Sequence, residues 1–369
     1  MVDQLRFGIL GCGMMGREHI RNLLLTGAAV DVIVEPDTGM REKILSLVPH
    51  VRFLDSLGAL LTCKELDALV IATPNYQHGD QLLEIFANSS LPILVEKPLV
   101  TQLDQVAVIR QAASEYPGPI WVGMEYRFMP PMQNFRQQLR DGAIGDLKML
   151  SIREHRYPFL KKVADWNRFN HNSGGTLVEK CCHFFDLMRL ITADEPMRIM
   201  ASAGQDVNHL REEYGGEVPD VLDNAFAIVD FCSGQRAMLD LAMFAQGSRY
   251  EQEVCAVGHR GKLECLIPGP ELLWGDQQAS PTVVLSPRSP VGPIETKIPI
   301  DAAVLDAGSH TGAAYYEHVG FQKVLRGDAE VEVTVEDGLR AVVMGMAAQQ
   351  AAATGKTALM VDDGFGFEI

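Results

Sequence analysis

The sequence predicts an α/β protein of two domains. A parallel, Rossmann-type unit is expected over residues 1–125 and an α/β domain with antiparallel strands over residues 126–369. Three observations carry this prediction. Strand and helix signals alternate through the first third of the chain, as a parallel sheet with crossover helices requires. An apolar strand at residues 6–10 runs into Gly11-Cys12-Gly13-Met14-Met15-Gly16 and then into a helix. Beyond residue 147 the strands lengthen and alternate, the pattern of an antiparallel sheet with one face solvated or covered by a partner. At 369 residues the chain is long enough for two cores.

In the first unit, strands are expected at 6–10, 30–34, 68–72, 93–95 and 120–123, with helices near 15–25, 40–47, 79–87 and 103–115. Thr101 and Asp104 form an approximate capping box for the last helix. Pro130-Pro131 precedes a helix at 132–141, which Gly142-Ala143-Ile144-Gly145 ends by supplying positive φ. Longer strands follow at 147–156, 197–203, 224–231, 237–245 and 251–258, with one strong helix, 174–192, between the first two. Residues 271–299 hold many prolines and few long apolar runs, which predicts loops or edge strands. An Ala/Met/Val-rich helix at 335–354 and a short strand at 359–361 close the chain.

A net charge of −16 argues against nucleic acid and anionic membrane surfaces as partners. No segment reaches about 18 uncharged apolar residues. The first strand begins by Phe7, which leaves no room for a signal peptide, and a cytoplasmic protein is expected. Seven cysteines without regular spacing suit reduced thiols, and Cys181-Cys182 reads as two buried small side chains. No Cys-x-x-Cys, His-Glu-x-x-His, Gly-x-Ser-x-Gly or Walker pattern occurs, so no metal is expected.

The chemistry begins at the glycine loop. Gly11 permits the tight turn, Gly13 lets backbone N–H groups approach a pyrophosphate, and Gly16 lets the helix pack closely on the strand. Nineteen residues past Gly16, Glu35 ends the second strand. A carboxylate there accepts from ribose hydroxyls and repels a 2′-phosphate, which favours NAD over NADP. Arg41 reads as a solvated helix residue. Thr73-Pro74-Asn75 and His78 follow the third strand, and Glu96-Lys97-Pro98 the fourth, both at the carboxyl ends where doubly wound sheets bind ligands. Asn75 can cap the following helix, and His78 reads as a cofactor contact or a solvated residue. Cys12, Met14 and Met15 complete the expected cofactor set. Lys97 facing the cleft can lower a hydroxyl's pKa by its charge. On the 174–192 helix, Glu179 and His183 stand four apart and share a face, and Asp186 lies a turn further. Histidine takes a proton near neutral pH, and a carboxylate one turn away can fix its tautomer or bind a hydroxyl.

Together these motifs resemble the glucose–fructose oxidoreductase, inositol dehydrogenase and rhizopine-catabolism (Gfo/Idh/MocA) family. The resemblance also takes in Tyr126-Arg127-Phe128, the 142–145 turn and Glu336-Asp337-Gly338, and it spans nearly the whole chain. It implies a Rossmann domain followed by an α/β domain with a large open, mostly antiparallel sheet. It further implies homodimers or homotetramers packed through sheet faces, and NAD(P)-linked hydride transfer at a carbinol of a sugar, cyclitol or related polyol. The family's lysine falls on Lys97 and its histidine on His183. Glu179 stands where the family usually has aspartate, and Cys181 where it usually has glycine. Arg127, His155, Arg156, Tyr157, Trp166 and Asn170 are the substrate-side candidates. The resemblance admits two other activities: an NAD-dependent glycosidase and a non-catalytic, cofactor-binding regulator.

Overall fold

In a computed structural model, residues 4–269 and 279–369 are described. The first sheet joins β1 (Arg6–Leu10), β2 (Ala29–Val34), β3 (Arg52–Leu54), β4 (Ala68–Ile71), β5 (Ile93–Glu96) and β6 (Ile120–Gly123). Their spatial order is β3-β2-β1-β4-β5-β6, and every pair is parallel. The central strands are apolar runs because helices cover both faces, and β4, β5 and β6 are buried along their whole length. The strand order reverses between β1 and β4, and a cleft opens there at the carboxyl ends. The sequence did not predict β3 or the Leu57–Leu61 helix, both too short for a clear period. The Thr101 capping box does not form. The Asp104–Glu115 helix has no side-chain cap, and the Gln105 side-chain oxygen instead accepts the backbone N–H groups of Thr101 and Gln102 at 3.2 Å each.

The second sheet contains β7 (Leu147–His155), β8 (Pro196–Gly204), β9 (Asn224–Phe231), β10 (Arg236–Ala242), β11 (Tyr250–Gly258) and β12 (Gly261–Pro268). It continues with β13 (Thr282–Pro287), β14 (Ile294–Lys297), β15 (Ala358–Met360) and β16 (Phe367–Glu368). Among the described residues the order is β14-β13-β12-β11-β7-β10-β9-β8-β15-β16. All pairs are antiparallel except β7 with β10. One face packs on the Cys182–Thr192 and Val335–Thr354 helices. The other exposes Met149, Phe226, Ile228 and Met238. Within the proline-rich 271–299 segment, β13 and β14 occupy one end of the sheet, and residues 271–278 lie outside the described residues.

The single helix expected at 174–192 is broken. Helical turns cover Thr176–Glu179 and Cys182–Thr192. At the break the Cys181 N–H reaches back five residues to the Thr176 carbonyl at 3.3 Å, a π-type wide turn that inserts an extra residue. The long Ala313–Leu325 helix, also unpredicted, returns to the first unit. Its Phe321 ring lies 6.3 Å from Phe7 and 6.1 Å from Trp121.

Candidate active site

The cleft at the carboxyl ends of β1, β2, β4 and β5 has a volume of about 600 Å³. Gly11, Gly13, Met14, Met15, Glu35, Thr73, Pro74, Asn75, Glu96 and Lys97 line it. A Cβ on Gly13 would meet nothing within 4 Å, so the loop backbone faces open space. A Cβ on Gly16 would sit 2.1 Å from the Gly11 carbonyl oxygen, so only glycine packs there. The Met14–Leu25 helix starts without a side-chain cap, leaving its first N–H groups for an anion in the cleft. These residues fit a dinucleotide's pyrophosphate.

Glu35 is nearly buried. Its Oε2 accepts the Cys12 N–H at 2.7 Å and its Oε1 the Asp37 N–H at 2.9 Å. The carboxylate therefore has a fixed place at the end of β2. Arg41 donates to the Glu35 carbonyl at 2.5 Å and pairs with Asp55 at 3.2 Å. It does not line the cleft. Three residues expected at the cofactor are not on the lining. Cys12 is buried under the loop, where burial and Glu35 push its thiol up to about 12. Gly16 acts in packing. His78 is neither solvated nor lining the cleft: its ring nitrogens lie 2.8 Å from the Pro98 carbonyl and 3.0 Å from the Thr73 carbonyl, tying two strand-exit loops together. Asn75 donates to the Ser173 carbonyl at 3.2 Å rather than capping a helix.

The second domain covers the cleft with Lys161, Lys162, Val163, Ala164 and Trp166. Ala164 and Asp165 take φ of 53° and 52° to make this crossing. The Trp166 indole stands edge-on to Tyr76, and the Lys162 ammonium lies 4.5 Å from its ring centre. Lys97 Nζ donates to the Glu179 carbonyl at 2.9 Å, and Lys162 Nζ pairs with Glu179 Oε1 at 3.0 Å. Glu179 Oε2 is buried without a partner. Glu96 Oε2 accepts the Lys97 N–H at 3.2 Å, while Oε1 is held by His19 Nε2 at 2.8 Å.

His183 is buried and lies flat on Tyr126, with ring centres 4.0 Å apart and planes 7° apart. Burial first, then the charges of Lys97 and Lys180, hold its imidazole well below the usual histidine range, so the ring is neutral. Among the described residues no carboxylate bonds to it. The wide turn separates Glu179 from a regular i,i+4 position, and Glu179 turns to Lys162 instead. Asp186 is committed to Arg127, which donates from Nε at 2.6 Å and from a second nitrogen.

Of the substrate-side candidates, Trp166 lines the cleft. Arg127 does not: it is buried between Asp186, the Glu332 carbonyl at 2.8 Å and Asp337 at 3.4 Å. His155 points to the opposite face of the sheet from Ile152 and Glu154, beside Asp240 at 3.1 Å. Asn170 spends its N–H and side-chain amide on Asp220. Tyr157 and Arg156 stack on each other at 4.3 Å, and Arg156 pairs with Glu154 at 3.2 Å. The residue reading missed Tyr126 as a partner of His183, and also Glu154, Lys180 and Lys162. Alternation within β7 already places Glu154 on the face of Leu150 and Ile152. Among the described residues, Glu18, Glu125 and His310 bring metal-type ligand atoms within 4.8 Å of one another. Glu18 spends both oxygens on Ser309, and His310 Nδ1 stands 2.8 Å from Glu125 Oε1.

Comparison with known proteins identifies both parts of the chain. Residues 5–124 match the oxidoreductase family's NAD-binding Rossmann fold, and residues 136–361 match its C-terminal α/β domain. Inositol 2-dehydrogenase of Rhizobium meliloti (strain 1021) is 28% identical over 281 residues, 75% of this chain and 81% of that protein. The rhizopine catabolism protein MocA of Rhizobium meliloti is 24% identical over 240 residues, 65% of this chain and 72% of that one. The fold of levoglucosan dehydrogenase, solved with NADH and levoglucosan, superposes with a TM-score of 0.80 at 17% identity, covering 96% of this chain and 99% of that one. With both family domains matched in order along the chain, this protein belongs to the Gfo/Idh/MocA oxidoreductase family.

Proposed function

We propose that the chain is an NAD-dependent dehydrogenase acting on a carbinol of a cyclitol, sugar or related polyol. The observation that carries this reading is a tethered lysine on the cleft lining with a buried, neutral histidine close enough to feel its charge. Lys97 Nζ is anchored to the Glu179 carbonyl, and burial together with the charges of Lys97 and Lys180 leaves His183 in its unprotonated form. The inositol 2-dehydrogenase and levoglucosan dehydrogenase relatives support the carbinol substrate. Glu35 supports NAD over NADP because its fixed carboxylate repels a 2′-phosphate.

A bound nicotinamide supplies the hydride acceptor. His183 takes the hydroxyl proton, and the Lys97 ammonium stabilises the charge that develops on the oxygen. The unpartnered Glu179 Oε2 offers an acceptor to a neighbouring hydroxyl. Trp166 presents an apolar face to the ring of the substrate. The exposed apolar residues on the open sheet face support a homodimer or homotetramer. The free cysteines fit a reducing cytoplasm.

NADH absorbance with a panel of inositols, sugars and polyols tests the reading. We expect turnover on a neutral polyol, with Lys97→Ala and His183→Ala each slowing it by roughly 10²–10⁴-fold while NADH still binds. Full turnover in both variants would overturn the assignment.

A further inference from the structure

We propose that Tyr126, pinned by Lys180 and Glu154, is the residue that positions His183. This rests on the reading of His183 as the group that takes the carbinol proton, while hydride passes to the nicotinamide and the carbinol becomes a carbonyl. A base must be held in one orientation to act in that step. The usual device is a carboxylate on the far ring nitrogen. Here that device is missing: His183 Nδ1 is buried without a partner, Glu179 is drawn to Lys162, and Asp186 is drawn to Arg127. What touches the imidazole instead is the flat face of Tyr126, at 4.0 Å and 7°.

Tyr126 is itself fixed. It is 1% exposed, and its hydroxyl accepts from Lys180 Nζ. The same ammonium pairs with Glu154 Oε1 at 2.9 Å. Glu154 is fully buried on the inward face of β7 and is also held by Arg156 at 3.2 Å. The support therefore runs from the second sheet through Glu154 and Lys180 to Tyr126, and from there to the imidazole. Lys180 lies inside the wide turn that runs from Thr176 to Cys181, three residues before His183. A second consequence is electrostatic. The groups charged against His183 are Lys97 from the end of β5, Lys180 from its own segment, His310 from the turn before the Ala313–Leu325 helix, and Arg156 from the end of β7. Nearby acidic or neutral groups are Glu154, Glu179, Cys182 and Tyr126 itself. Lys180 is the cation that both fixes Tyr126 and helps keep the imidazole unprotonated.

The test uses the full chain with NAD and the best polyol of the panel. Tyr126→Leu removes the stacked face. It should lower kcat by roughly 10²-fold with little change in KM for NAD, because a base displaced by about 1 Å loses that much. Tyr126→Phe keeps the ring and loses the lysine bond, and should fall between. Lys180→Met should move the acid limb of kcat/KM upward by about one pH unit, and Lys180→Arg should return it. Lys180→Met combined with Glu154→Leu covers the case in which the single variant leaves Glu154 unpaired and fails to fold. Ring-¹⁵N histidine NMR supplies a readout independent of turnover: the His183 titration should shift in Tyr126→Leu. Wild-type kcat in Tyr126→Leu, with an unmoved acid limb, overturns the positioning role and leaves the dehydrogenase reading standing. A wild-type chain that binds NADH but oxidises no polyol overturns that reading instead. The NMR titration then decides the role of Tyr126, and an unshifted His183 signal refutes it.

Discussion

Replacing Arg127 by methionine decides whether this residue meets substrate or holds the frame. Its guanidinium is 3% exposed, bidentate to Asp186, which is 1% exposed, and bonded to the Glu332 carbonyl. Methionine fills much of the arginine stem but leaves the Asp186 carboxylate buried without those donors. Removing one partner of a buried pair costs about 3–5 kcal/mol. At about 2.1 cal/mol/K of unfolding entropy per residue, a chain of 369 residues loses about 1.3 °C per kcal/mol, so Tm should fall by roughly 4–7 °C. Adding Asp186→Leu removes the stranded charge, so the double variant should regain most of the loss. Circular dichroism melts of the wild type, Arg127→Met and the double variant measure this, with kinetics taken well below each melt. KM for the polyol should not change. An unchanged Tm together with a KM raised tenfold or more would show that Arg127 meets substrate, and would refute the argument from burial.

Gly16→Ala places a Cβ 2.1 Å from the Gly11 oxygen, against an ordinary contact of 3.4 Å or more, so the loop must move by more than about 1 Å. NADH affinity by fluorescence titration should weaken at least tenfold with far-UV circular dichroism unchanged, and an unaltered Kd contradicts the cradle. Glu35→Ser removes the fixed charge at the end of β2, and the ratio of NADP to NAD efficiency should rise about tenfold or more; a constant ratio removes Glu35 from cofactor choice. His183 is held neutral in the folded protein, whereas in the unfolded chain it binds a proton near pH 6.5. The unfolded state then holds more protons, so this residue's contribution to stability falls as pH drops below about 6.5, at roughly 1.4 kcal/mol per unit. Melts of wild type and His183→Gln from pH 7.5 to 5.5 should diverge with that sign, and parallel curves would show that the ring is charged.

The first sheet was legible because buried parallel strands are unbroken apolar runs and glycine marks their exits. The cofactor loop, Glu35 and Lys97 stood at positions fixed by those exits, and the structure places them on one cleft. What failed depended on partners distant in sequence or on departures from regular geometry. The Glu179–His183 pairing assumed an unbroken helix, and a wide turn at Cys181 has no period that betrays it. Arg127 finds Asp186 fifty-nine residues away, so its charge looked available. His155 falls to the outer face of β7 by simple strand alternation. The Ala313–Leu325 helix escaped notice because its buried face carries Glu317, His318 and Gln322, residues that read as solvent-facing.

That helix also sets a clock on synthesis. Phe7 and Trp121 leave the ribosome long before Phe321, yet both rings pack on it. His19 waits likewise for His318 at 2.9 Å, and Thr26 for Gln322. At bacterial or eukaryotic elongation speeds, the stretch between Gly123 and Phe321 takes roughly 10–40 s to appear. For that interval the nucleotide-binding unit stands with one side of its core uncovered. A chain released early, or clipped before residue 321, keeps its glycine loop and every strand of the parallel sheet but exposes the aromatic rings that the late helix covers. Such a product is a substrate for chaperones and proteases rather than a smaller working cofactor-binding protein.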